Sequence, residues 1–271
     1  MITIKKPTLM KKTLVTLFSI SLLFTSCTKD KQENGGIYKG PVQQFQHGKA
    51  WTWIQVDQKD IPVRIAIAID ADAMNSLDPG GEHKGEHNHT NGVSLAFHPK
   101  AGHTPFKHAL LDWNPNGHEP AGIFDLPHFD FHFYMTSEAE RQVIPPFMVD
   151  STGFLNFPAP GYMPATMPNF YVPTPGGVPQ MGTHWIDVSS PEFNGGTFSQ
   201  TFLYGSYNGN VTFYEPMITK LFLDANPSFQ RSIPVPNRFK QAGWYPTQMR
   251  IEKSSGVTHI ILEGFEYRPA S

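Results

Sequence analysis

The sequence predicts a mainly β domain: an antiparallel β-sandwich or barrel-like fold with short helices and a long Pro-rich ordered loop. Three observations carry this. Charge is sparse, with Asp, Glu, Lys and Arg making up 16% of the 271 residues, against ~25% in an average soluble domain. There are 23 Gly and 25 Pro, and aromatics reach 13%, a composition that suits short strands and turns and excludes a coiled coil or a disordered chain. Several short runs alternate at the two-residue period of a strand. A disulfide scaffold is excluded by the single Cys.

In chain order, Ala50–Val56 and Ile61–Ile69 flank the turn Asp57-Gln58-Lys59-Asp60 and predict a hairpin. Ala71–Leu77 suits a short helix, and 78–92 is a Gly/His/Asn-rich loop. Val93–Phe97 and His108–Trp113 read as strands, followed by a turn at Asn114-Pro115-Asn116-Gly117, where Pro presets φ and Gly tolerates positive φ. Phe124–Met135 alternates strictly, with Phe129, Phe131 and Phe133 on one face and His128, Asp130, His132 and Tyr134 on the other. Ser137-Glu138-Ala139-Glu140 is a capping-box pattern that starts a short helix running to about Ile144. Residues 142–186 hold nine prolines and one charged residue, Asp150, and are too apolar for a solvated linker. They predict an ordered cover over the β core. Phe198–Gly205 and Val211–Tyr214 flank Asn208-Gly209, a strong hairpin signal. Pro216–Asp224 reads as helical. Tyr245–Glu252 and Val257–Phe265 form a last hairpin around Ser254-Ser255-Gly256.

The single Cys, Cys27, follows the only long apolar run. Lys11 and Lys12 precede the apolar stretch Thr13–Phe24, which suits a secretory signal and falls short of the ~20 residues a membrane span needs. Leu23-Phe24-Thr25-Ser26-Cys27 is similar to a bacterial lipoprotein signal, in which the Cys is acylated and becomes the mature N-terminus. The expected organisation is a leader over 1–26, a flexible tether over 27–40 and one β-rich domain over 41–271, held outside the cytoplasm in the bacterial cell envelope by a lipid on Cys27. Removing the leader takes four Lys and no acid, leaving a net charge of about −6. That balance lacks the basic footprint of a nucleic-acid binder.

The row His128, Asp130, His132 carries the most chemistry. An ordinary solvent-facing row would be Thr, Lys or Glu, whereas His and Asp are metal-ligand types. Residues i and i+2 lie ~6.6 Å apart on a strand and can share an ion, but His128 and His132 are ~13 Å apart and cannot. The expectation is therefore one His acting as ligand with Asp130, and the other His as a structural hydrogen-bonder. Further ligands would come from His184, His118 and Glu215. Zinc is the first choice for such a set, with Mn, Fe, Ni and Cu also compatible. The competing reading is a polar network without an ion. Glu82-His83-Lys84-Gly85-Glu86-His87-Asn88-His89 reads as a solvated loop, and Met163, Met167 and Met181 read as gap-fillers against aromatics. No Gly-x-Ser-x-Gly elbow, Walker loop or dinucleotide fingerprint occurs in the sequence.

Leu111–Pro120, Pro127–Tyr134, Met181–Trp185, Tyr204–Gly209, Phe213–Thr219 and Gly243–Thr247 together resemble the TTHB-type hypothetical protein family, a bacterial secreted or lipid-anchored domain of unknown function. The resemblance spans about residues 45–268. It implies a β-rich fold, export and self-association into a homo-oligomer, and it supplies no catalytic residue. The functional expectation is a lipid-anchored envelope protein with a divalent-metal or polar pocket for an unidentified small molecule. The alternative is a metal-dependent enzyme, hydrolase or oxygenase-like, using the same His/Asp/Glu cluster, with Glu215 or Glu119 as candidate general base.

Overall fold

The computed structural model describes residues 1, 3, 35–80, 92–164 and 171–271. The leader, Cys27, most of the tether, the 82–89 His cluster and Met167 lie outside the described residues. Among the described residues, fifteen strands run in chain order. The first eight are β1 (Ile37–Phe45), β2 (Gly48–Val56), β3 (Pro62–Asp70), β4 (Val93–Ala96), β5 (His108–Asn114), β6 (His128–Tyr134), β7 (Tyr171–Pro173) and β8 (Thr183–Asp187). The remainder are β9 (Gln200–Tyr207), β10 (Asn210–Thr219), β11 (Ser228–Ser232), β12 (Gly243–Tyr245), β13 (Gln248–Ser254), β14 (Val257–Glu263) and β15 (Glu266–Arg268). Four short helices accompany them: α1 (Ala71–Asn75), α2 (Glu138–Gln142), α3 (Ser151–Leu155) and α4 (Lys220–Ala225).

Two antiparallel sheets face each other. One has the order β1-β2-β3-β14-β13-β11, the other β4-β5-β6-β10-β9-β8-β7, and neither closes into a barrel. Between them lies one continuous apolar core. The first sheet contributes Ile54, Ile65, Ile67, Ile251, Ile260 and Leu262; the second contributes Leu111, Trp113, Phe129, Phe131, Phe133 and Tyr214. Each of the three β6 phenylalanines is fully buried, contributing about 1.5–3 kcal/mol relative to exposure. The sandwich is thus built on the alternation read from the sequence, and residues 34–271 form one compact unit.

Three elements differ from expectation. The tether ends early, because Ile37, Tyr38 and Lys39 already pair with β2. Residues 216–219 continue β10 instead of starting a helix, which begins only at Lys220 under the Thr219 cap. Pro216 gives up one ladder hydrogen bond, but burial of Met217 and Ile218 keeps the strand extended. The Pro-rich cover also contains α3, β7 and the start of β8.

The helix after β6 follows the capping rule. Ser137 Oγ accepts from Glu140 N at 3.2 Å, and Glu140 Oε2 accepts from Ser137 N at 2.7 Å. Ser137→Ala removes one half of this box and is expected to cost about 1 kcal/mol in a urea titration. A change under a few tenths would show the cap to be dispensable.

Candidate metal centre

The face of β6 opposite its phenylalanines does not meet water. It is covered by 117–126 and by parts of 174–198, through two apolar clusters. Met181 and Val178 meet Leu110, Tyr134 and Phe213, while Phe124 and Phe198 meet Leu203 and Met217. His128, Asp130 and His132 are therefore buried among apolar side chains, at 0%, 3% and 1% exposure.

The sheet register gathers acids around them. β5 sets Asp112 directly opposite Asp130. The register pairing β10 with β6 joins Tyr214 to Phe133 and Met217 to Asp130, which places Glu215 beside His132. β8 brings His184 opposite Gly205, in the next rows out. Like charges directly opposite one another destabilise a sheet, so the Asp112–Asp130 pair demands a compensating positive charge.

Two groups result, each of two His and one carboxylate. In the first, His118 Nε2 lies 3.3 Å from Asp130 Oδ2 and His128 Nε2 lies 3.2 Å from Asp130 Oδ1. In the second, His132 Nε2 is 3.3 Å from Glu215 Oε1 and His184 Nε2 is 3.7 Å from Glu215 Oε2. Within each group the ligand atoms lie within 4.8 Å of one another. A tetrahedral zinc ion with bonds near ~2.0–2.2 Å brings such atoms slightly closer, a movement available to side chains alone.

The first group has a fixed tautomer. His128 Nδ1 donates to the Leu126 carbonyl at 2.6 Å, and His118 Nδ1 donates to the Glu119 carbonyl at 2.7 Å. A neutral ring held this way carries its lone pair on Nε2, and both Nε2 atoms face the Asp130 carboxylate. Lone pair then opposes lone pair unless a proton or a cation stands between. Backbone carbonyls holding the far nitrogen are the usual partners of metal-bound His. In the second group the same part falls to Asp112, whose Oδ2 is 3.5 Å from His132 Nδ1. Among the described atoms, His128 Nε2, Asp130 Oδ1, both His132 ring nitrogens and Glu215 Oε2 are buried without a hydrogen bond. Such atoms call for a partner.

Without an ion, protons take part of that role. Burial pushes the Asp130 carboxyl up, but the His128 and His118 imidazoles outweigh it and hold Asp130 ionised well below the usual range. Burial lowers the His118 pKa, yet the Asp130 charge and hydrogen bond, with the Glu119 carbonyl, raise it on balance. Glu215 moves the other way: burial, then the Asp130 and Asp112 charges, push its pKa well up. No Lys or Arg lies within ion-pair distance of Asp130 or Glu215 among the described residues.

A cavity of about 420 Å³ reaches both groups, touching His118 from the first and His184 from the second. Phe124, Val178 and Leu203 contribute apolar wall, and Glu119 stands in its lining. A larger cavity of about 560 Å³, beside Met135 and Thr136 beyond the end of β6, contains none of these residues.

All six residues named from the sequence converge, but as two groups. The expected division makes one of His128 and His132 only structural; in the fold each has a loop His and a carboxylate within reach, so both stand in groups that could hold an ion. Met163 sits in the main core and Met181 under Phe213, as gap-fillers. Asp112 escaped the sequence reading. Its signal was a charged residue in the apolar strand Leu110-Leu111-Asp112-Trp113, at the same alternation as His108 and Asn114. No protein-family model, curated protein or solved structure matches the chain.

Proposed function

We propose that this chain is a lipid-anchored envelope protein whose β-sandwich binds two divalent transition-metal ions, one at His118, His128 and Asp130 and one at His132, His184 and Glu215, beside a pocket for a small molecule. The observation that carries the metal reading is the pair of Nδ1–carbonyl bonds that turn the His118 and His128 lone pairs onto Asp130. Protonating both rings instead would bury two imidazolium ions against one carboxylate. A divalent cation satisfies all three groups with no added proton. Two His and one carboxylate suit zinc and equally suit non-haem iron. The anchor rests on the basic, apolar and Cys27 sequence of the leader.

Protein purified without a His tag is expected to carry about two metal equivalents per chain by elemental analysis. His128→Ala and His132→Ala should each remove about one, and the double variant both. Sub-stoichiometric metal in the wild type, unchanged by His132→Ala, overturns the reading. Globomycin-insensitive processing would overturn the lipid anchor separately.

A second reading, a metal-dependent hydrolase or oxygenase, is favoured by one feature. The cavity touches one candidate ligand of each group, and access of that kind is what a site with an open coordination position needs.

A further inference from the structure

The two-centre reading is the premise here. We infer that the 420 Å³ cavity takes a small organic molecule with an apolar body and an uncharged, metal-binding carbonyl group, and that it rejects phosphate esters and other dianions.

The walls argue for the apolar body. Phe124, Val178, Ile186 and Leu203 line the cavity together with Pro120 and Pro175. Leu203 lies on the sheet floor, one strand over from Glu215, and Phe124 stacks edge-on to His118 at 5.9 Å. A ligand body resting on this surface is held directly beside both centres. The volume lies within the ~300–1,000 Å³ of ordinary small-molecule sites.

Charge argues against a dianion. Sites that clamp phosphate supply Arg or Lys in addition to the metal. Here no Lys or Arg is among the described lining residues, and the charged side chain present is Glu119. Two divalent ions would be matched by Asp112, Asp130, Glu215 and Glu119, leaving no surplus positive charge for a dianion. The other cavity shows the contrast within the same fold: Lys107, Arg238 and Lys240 line it beside Tyr162 and Tyr207. The carbonyl group follows from the metal. A ligand oxygen is what an ion with two His and one carboxylate has room to accept, and a neutral oxygen leaves the site's charge unchanged.

The test uses the full chain loaded with zinc, its metal content measured first, and three probes followed by calorimetry: acetamide, benzamide and inorganic phosphate. Benzamide should bind about ten-fold or more tighter than acetamide, as burial of its ring requires, and phosphate should displace neither. Val178→Ser should keep both zinc equivalents while narrowing the ratio to about three-fold. Equal affinity for the two amides, or displacement by phosphate, overturns the inference even when two zinc ions are bound. Failure to take up zinc overturns the two-centre reading itself, and this inference with it.

Discussion

Stripping the metal with a chelator will lower the thermal midpoint by roughly 15–30 °C. An ion present at about a thousand times its dissociation constant contributes ~4 kcal/mol to the folded state, two sites contribute about twice that, and a domain of this size shifts ~2–4 °C per kcal/mol. The physical source is Asp112, Asp130 and Glu215, three carboxylates at 1–3% exposure under one sheet face. Loaded, they neutralise cations. Stripped, Asp112 and Asp130 face one another across the sheet, and Glu215 is driven toward its neutral form by burial and their charges. The stripped protein should also show a distinctive pH dependence. Burial, then the Asp130 and Asp112 charges, raise the Glu215 pKa well above 4.5. The folded state then keeps a proton that the unfolded chain releases, so stability is full below pH 4.5 for this group and is lost as pH rises through the folded value. Metal should abolish that slope. Differential scanning calorimetry with and without chelator, at several pH values, checks both. An unchanged midpoint would mean that protons alone balance the site.

Gly205→Ala should have the next largest effect. A Cβ on Gly205 would lie 2.0 Å from the Phe213 ring, far inside contact distance, and Phe213 is fully buried. Its ring stands 4.9 Å from His132, 5.1 Å from His184 and 5.3 Å from Tyr134, measured between centroids. A ring that yields presses on Leu110 and Met181 and on the second metal group. The expected cost is about 1–3 kcal/mol from overpacking, with loss of one metal equivalent at the His132 centre and retention of the other. Elemental analysis beside a denaturation curve separates these effects. A variant that loses stability yet keeps both ions would show that Phe213 does not support His184 and His132.

Much of this was legible in the sequence because β6 alternates without interruption. Phe129, Phe131 and Phe133 pointed to a sandwich core, and His128, Asp130 and His132 to a polar row behind it. Single-strand reasoning also explains the expectation of one centre. It gives distances along β6 but not across the sheet, so it could not show that β5 delivers Asp112, that β10 delivers Glu215, or that separate loops supply a His to each end. Pairing across strands is a property of register, and register is set by contacts remote in sequence. The strand start at Ile37 was missed for a similar reason: the polar stretch around it becomes a strand only when β2 is there to pair with it. The Pro216 error came from weighing local propensity above burial.

The alternation on β6 has a consequence for folding fidelity. Slipping that strand by one residue against its neighbours would drive two imidazoles and a carboxylate into the dry space between the sheets and turn three phenylalanines outward. The phenylalanines would still meet apolar cover, but the imidazoles and the carboxylate would be left among aliphatic side chains without His118, His184 or Glu215. The residues that would hold metal thereby also proofread the assembly of the sandwich, making the off-register hairpin a high-energy dead end before any ion has been bound.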